Sequence, residues 1–378
     1  MSSFFTNPDI LEFHSSCGNG FHDLLLQEVE ESNLNVLAAT RGGVHFKGKK
    51  NQLKNFLLRT KFSSRVALVW KKWRIRDAEE LYDLSISLPF EQILKKDTSF
   101  RIESFTKDNL SDSRYALYKL KDAIRDRIRE KGYEVNVERE NPDVEFLLRS
   151  HGDEVDLQVS ISPKPFHKRG YRLEQNVASL RETLAQGLIA FSGWKPESVI
   201  IDPMCGAGTI LTEAALQYKL GGEINRKLLS ESIIFESLFG KPDSEKKSTE
   251  LKPIFFGYDN DSISIEKAKR NAERAGVLDL IHFEKKDIAD LKNEKNFATG
   301  YILTNPPYGV RMGEKEYLKE YYSQVSNVIK KEFPDFFFGV IAGDKSLLGN
   351  FRLKAEKELS VSIAKLKGKL VLYKILKR

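Results

Sequence analysis

The sequence predicts an α/β chain: an open, mostly parallel sheet of about seven strands, preceded by a smaller α+β region. Three observations carry that prediction. From residue 179 onward, short apolar runs alternate with helically spaced segments, the pattern of strands joined by crossover helices. The run Ser198-Val199-Ile200-Ile201-Asp202 feeds a glycine loop, Pro203-Met204-Cys205-Gly206-Ala207-Gly208-Thr209, that reads as the start of a helix. A second run, Tyr301-Ile302-Leu303, is cut off by Pro306-Pro307, because two prolines cannot continue a hydrogen-bonded ladder.

With 378 residues the chain is too long for one ordinary core, so two or three domains are expected. Lys and Arg number 61 against 54 acids, a net charge of +7 that fits a polyanionic partner and equally a basic, well-solvated surface. The two cysteines, Cys17 and Cys205, lie far apart, and the six histidines show no ligand spacing, so neither a disulfide framework nor a metal site is expected. The amino terminus lacks a basic-then-apolar leader and no stretch approaches membrane-spanning length, which leads to the expectation of a soluble cytoplasmic protein with no membrane partner.

Taken in order, residues 11–49 read as strand, helix and strand, with Gly42-Gly43 turning into Val44-His45-Phe46. Residues 50–160 continue the alternation: helices over 53–59, 78–84 and 115–131, strands over 65–71, 99–104, 144–149 and 154–161. The 115–131 helix places Ala116, Leu120, Ala123, Ile124 and Ile128 on one face, with interleaved acids and bases elsewhere, a pattern more common on solvated faces than on binding surfaces. A basic linker follows at 163–178. Lys164, Lys168, Arg169 and Arg172 suit phosphates and Tyr171 suits an unstacked base, although an ordinary interdomain linker explains the same letters.

The module at 179–378 carries the chemistry. Gly206 and Gly208 allow a tight turn and close backbone approach to a ligand. The loop has no Lys of the phosphate-binding pattern, and Asp202 would repel a pyrophosphate but could hold an ammonium group. The next strand, 254–258, ends in Asp259-Asn260-Asp261, placed for the hydroxyls of a ribose. Strand 281–284 leads to Asp287, which could accept from an adenine amino group. Singly, each acid is an ordinary strand-end carboxylate. In this order they spell amino acid, ribose and adenine, that is, S-adenosyl-L-methionine. The polar stretch 221–252 reads as an insertion, either a flap or a decoration. Beyond 305 the expectations are a helix at 315–331, a strand at 336–341, a short helix at 345–351 and a terminal strand pair turning around Gly368.

Thr304-Asn305-Pro306-Pro307-Tyr308 then stands at the carboxyl edge of a strand, where open α/β sheets place their crevice. Asn-Pro alone is more often a proline turn. The full string suits methylation of an exocyclic amino group, whose lone pair is shared with a π-system. Asn305 and the Pro306 carbonyl would accept its two hydrogens, Pro307 would stiffen the loop, and Tyr308 would stack on the planar target.

The chain resembles the THUMP-containing bacterial RNA methyltransferases, nearest to the first module of the 23S ribosomal RNA (guanine-N2)-methyltransferases. The likeness rests on Arg41-Gly42-Gly43-Val44-His45-Phe46-Lys47-Gly48, Tyr118-Lys119-Leu120-Lys121-Asp122-Ala123-Ile124, Arg169-Gly170-Tyr171-Arg172, Arg181-Glu182-Thr183-Leu184-Ala185, the loop from Asp202 to Thr209 and Thr304-Asn305-Pro306-Pro307-Tyr308-Gly309. It implies a ferredoxin-like region (1–50), a THUMP RNA-binding domain (51–162) and a Rossmann-like, seven-stranded S-adenosyl-L-methionine-dependent methyltransferase domain (179–378). It also implies that Glu182 and Thr183 touch the methionine end of the cofactor, beside Asp202, Cys205, Gly206, Gly208, Thr209, Asp259, Asn260 and Asp287. Ala207 stands where the family usually has Ser, and the second module of the fused enzymes is missing before Arg378, so a single activity is expected. That activity is methylation of guanine N2 in ribosomal RNA, with no obligate protein partner. The alternatives are the same chemistry on transfer RNA, an adenine-N6 DNA or glutamine methyltransferase, and a non-catalytic ribosome-assembly factor.

Overall fold

The computed structural model describes residues 9–18, 20–105, 113–162, 164–172, 180–242, 251–252, 254–308, 314–363 and 366–377. Expectations about residues 1–8, Pro163, 173–179, 243–250 and Gly309 lie outside the described residues. The described chain divides into two units, the first drawn from Met1–Cys17, Leu24–Phe166 and Asn225–Ser244, the second from Gly18–Asp23, His167–Ile224 and Glu245–Arg378.

The first unit contains β1 (Ile10–Cys17), α1 (His22–Glu31), β2 (Asn35–Thr40), β3 (Gly43–Lys49), α2 (Lys50–Arg59), β4 (Ser63–Arg74), α3 (Ala78–Ile86), β5 (Ser99–Phe105), α4 (Ser113–Glu130), β6 (Asn136–Val137), β7 (Val144–His151) and β8 (Glu154–Ser160). The eight strands form one sheet in the order β2-β3-β1-β4-β8-β7-β5-β6, so 1–50 and 51–162 share a ladder, β1 pairing with β4. The stripe expected on α4 is buried: Ala116, Leu120, Ala123, Ile124 and Ile128 are all 0% exposed. Phe146 of β7 centres an aromatic cluster with Phe90 and Phe100 at ring distances of 5.6 and 6.2 Å. Strand β2 is an addition to the strand-helix-strand pattern expected over 11–49; its residues are largely exposed and carry no apolar alternation.

The second unit holds α5 (Glu182–Ser192), β9 (Ile200–Asp202) and α6 (Thr209–Lys219). The chain then supplies α7 (Arg226–Ser230) and α8 (Ile233–Phe239), which belong to the first unit. The described part of the 221–252 insertion is therefore packed structure. Asn225 Nδ2 donates to the carbonyls of Leu57 and Thr60 at 2.9 and 2.8 Å, and Ile234, Phe235 and Leu238 are buried.

The second unit resumes with β10 (Phe255–Asp259), α9 (Ser262–Arg274), β11 (Ile281–Lys285), β12 (Tyr301–Thr304), α10 (Glu314–Glu332), β13 (Phe337–Ala342), β14 (Ala355–Ile363) and β15 (Leu366–Lys374). Its seven strands run β11-β10-β9-β12-β13-β15-β14. Strands β9 to β13 are parallel, and β15 and β14 are antiparallel. The chain leaves β9 toward β10 and β11, then returns to β9's other side as β12. That reversal opens a crevice at the carboxyl ends of β9 and β12.

The terminal hairpin corrects one expectation. Gly368 is not the turn. It lies within β15 opposite Val361, and the pairing closes only at Ile363 and Leu366. A Cβ on Gly368 would sit 2.4 Å from Ile363 Cδ1 and 2.8 Å from the Ala342 carbonyl, so this glycine serves close approach between strands. The segment Lys345–Phe351 is a 3-10 helix.

Candidate active site

A cavity of about 400 Å³ occupies the crevice. Asp202, the last residue of β9, is 1% exposed at its floor. Its Oδ1 accepts from Thr304 Oγ1 at 2.8 Å and from Met204 N–H at 3.2 Å. Burial pushes this carboxyl up to about 7; the two hydrogen bonds favour the charged form, and the nearby Asp259 opposes it. The loop then turns back across β10: Cys205 N–H donates to the Tyr258 carbonyl and Gly206 N–H to Asp259 Oδ2, both at 2.9 Å. Gly208 adopts φ +76°, and a Cβ there would lie 2.9 Å from the Ala268 Cβ, which accounts for glycine at this turn.

The loop after β12 forms the opposite wall. Asn305, Pro306, Pro307 and Tyr308 all line the cavity. Asn305 Oδ1 is buried and has no hydrogen-bond partner among the described residues. A buried acceptor in that condition is costly unless a ligand completes it. Tyr322 of α10 donates its hydroxyl to the Pro307 carbonyl at 3.2 Å and so ties the loop to a helix buried against the sheet.

The cofactor set expected from the sequence is only partly assembled. Asp202, Cys205, Gly206, Thr209, Asp259 and Asn260 line the cavity with the Asn305 loop. Gly208 shapes the turn without lining the cavity. Asp287 does not line the cavity and caps a short turn, its Oδ1 accepting from Ala289 N–H at 2.9 Å, while its neighbours Lys286 and Ile288 reach the cavity. Glu182 and Thr183 are buried in the first turn of α5, and Leu180, just before them, is the residue that lines the cavity. Other wall residues were not anticipated from the sequence, among them Ser264 on α9, and Tyr317 and Tyr321 on α10, whose rings stack at 6.1 Å. Their i,i+4 spacing was the available signal.

The basic linker separates into two kinds of residue. Lys164 and Lys168 are exposed, Lys164 pairing with Glu231 at 2.8 Å. Arg169 and Tyr171 are 6% and 2% exposed, which removes them from contact with RNA: Arg169 Nε meets Glu213 Oε2 at 3.0 Å, and the Tyr171 hydroxyl donates to Glu213 Oε1 at 2.9 Å. Arg172 faces Glu182 at 3.4 Å and donates to the Leu180 carbonyl. A buried carboxylate on α6 needs these donors more than solvent does.

Residues 169–371 match the family described as "RMKL-like, methyltransferase domain", and residues 76–160 match the THUMP domain. The chain belongs to the RMKL-like methyltransferase family. A relative from Vibrio parahaemolyticus, named ribosomal RNA large subunit methyltransferase K/L, is 32% identical over 91% of this chain and 50% of its own length. The chain spans about half the length of the curated relatives it matches. Among solved structures, a Clostridium difficile 630 protein described as a possible methylase is 26% identical with a TM-score of 0.77, over 98% of this chain and 99% of that one. SMU.472, crystallised in complex with SAH, superposes with a TM-score of 0.79 at 21% identity, over 98% of this chain and 100% of that one, which supports the shared fold.

The cofactor of this methyltransferase domain is S-adenosyl-L-methionine, and the cavity fits it. A buried acid able to take a cation sits at the end of β9, a second acid at the end of β10, and closely approaching backbone lies between them. No described helix of the chain is long and apolar enough to cross a membrane.

Proposed function

We propose that this chain methylates the exocyclic N2 of a guanine in RNA, with ribosomal RNA as the substrate. The observation that carries the reading is the buried, unsatisfied Asn305 Oδ1, facing the same cavity as Asp202 and Asp259. Bound S-adenosyl-L-methionine supplies an electrophilic methyl group. The chain's own residues then have four tasks. Asp202, Gly206, Asp259 and Asn260 hold the donor. Asn305 Oδ1 and the Pro306 carbonyl accept the hydrogens of the target amine, which localises its lone pair toward the methyl group. Tyr308 stacks on the base, which must leave its own stack to enter. Alignment of nitrogen and methyl accounts for most of the rate. The proton leaves after the new bond forms, so no strong base is required.

The THUMP match and the names of the curated relatives support RNA as the substrate and the large ribosomal subunit as its source. In this reading the regions 1–50 and 51–162 grip RNA, with exposed Lys164 and Lys168 adding phosphate contacts. The test is transfer of a tritiated methyl group to unmodified ribosomal RNA and transfer RNA, with the nucleoside identified by mass spectrometry. N2-methylguanosine in ribosomal RNA is expected. Label in transfer RNA, in DNA or in protein would replace the assignment, and transfer to no acceptor would leave a binding protein.

A further inference from the structure

Thr304 is the last residue of β12 and immediately precedes Asn305, yet it is 0% exposed and does not line the cavity. A buried hydroxyl needs a partner, and its partner is the Asp202 carboxylate at 2.8 Å, on the neighbouring strand. The Met204 N–H reaches the same oxygen, Oδ1, at 3.2 Å, so the two bonds together fix the rotation of the carboxylate. We propose that Thr304 is a positioning residue for the cofactor: its hydroxyl aims the Asp202 carboxylate at the cofactor's ammonium group, and links the loop of Asn305 to the loop of Gly206.

This inference rests on the cofactor lying against Asp202. The titratable groups facing Asp202 are Asp259 from β10 and Cys205 from its own loop, and neither favours its ionisation. From β12, Thr304 offers a neutral donor. Burial and Asp259 push the Asp202 carboxyl up to about 7, against the Thr304 and Met204 hydrogen bonds. A cationic ligand therefore binds best to the deprotonated form, and below that pH its binding releases a proton. Without the hydroxyl, the same deprotonation requires a higher pH.

The experiment is calorimetric titration of the full chain with S-adenosylhomocysteine across neutral pH, in two buffers of different ionisation enthalpy. Wild type, Thr304→Ser and Thr304→Val are compared. Wild type should lose affinity, and release a proton on binding, as pH falls below about 7. Thr304→Val should show the same profile displaced upward by about one to two pH units, the worth of one hydrogen bond to a charged group. Its affinity should be weaker by about tenfold at neutral pH, and the deficit should narrow as pH rises toward the range in which the ligand's own ammonium group deprotonates. Thr304→Ser should follow wild type. A Thr304→Val profile that coincides with wild type overturns the proposal, as does wild-type binding without proton release if the variant fails to fold. Wild type that binds no S-adenosylhomocysteine at all would instead remove the cofactor assignment beneath it.

Discussion

Tyr308 lies against the backbone of Gly343, so closely that a Cβ on the glycine would sit 2.7 Å from Tyr308 Cδ2 and 2.9 Å from Cε2. Gly343 follows β13, the strand beside β12, and the tyrosine ring packs at the edge of the cluster containing Tyr322, Phe338 and Phe351. The ring proposed to stack on the target base is thus held from behind by a residue with no side chain.

Gly343→Ala should therefore push Tyr308 into the cavity without touching the Asp202 end. The expected outcome is a loss of about tenfold or more in kcat/KM for methyl transfer, with affinity for S-adenosylhomocysteine unchanged within a few fold. Steady-state kinetics beside calorimetry reads both. Equal loss of the two would mean that the glycine supports the cofactor half as well.

Arg169 is held by Glu213 in a pocket that also contains Tyr171 and Gln186, the last donating to Glu213 Oε2 at 3.0 Å. Removing one member of a buried ion pair strands the other, at a cost of about 3–5 kcal/mol. Arg169→Ala should thus lower the urea midpoint strongly. Lys168→Ala, at an exposed position, should leave the midpoint unchanged and weaken RNA binding in a salt-dependent way. A stable Arg169→Ala protein with specifically reduced RNA affinity would return that arginine to the RNA-contact set.

His14 of β1 is 5% exposed and sits 4.4 Å, ring to ring, from His45. Burial, then the nearby Arg149 and His45, push its pKa down to about 2 from an ordinary 6.5. Because the folded value lies below the unfolded one, its contribution to stability is fully present above pH 6.5 and is lost as pH falls toward 2. Denaturant unfolding of wild type and His14→Gln at two pH values, one above 6.5 and one near 5, should show the wild type losing more stability than the variant on acidification. Parallel losses would show that the histidine is solvated in the folded state.

The two loops that make the cavity were legible because their cause is local. A glycine turn after an apolar run and a pair of prolines after another must end strands, and strand ends are where an open sheet is concave. The α4 stripe was legible for the same reason: its period is that of a helix. What escaped was set by residues distant in the chain. Arg169 and Tyr171 resemble an RNA contact until Glu213, over forty positions later, is seen to accept from both. Gly368 has the look of a turn, and only the approach of Ile363 and Ala342 explains it as a mid-strand glycine. The α5 segment was placed one step off: Glu182 and Thr183 face inward, and Leu180 reaches the cavity instead. Tyr317 and Tyr321 acquire a role only when α10 packs beside the β12 loop.

The most direct measurement concerns Asn305, assayed for methyl transfer to ribosomal RNA and for S-adenosylhomocysteine affinity on the same preparation. Asn305→Ala should transfer no detectable methyl group while binding the cofactor product within a few fold of wild type, since Oδ1 has no hydrogen-bond partner among the described residues. Persistent transfer by Asn305→Ala, or cofactor affinity lost together with transfer, would contradict the role given to this side chain.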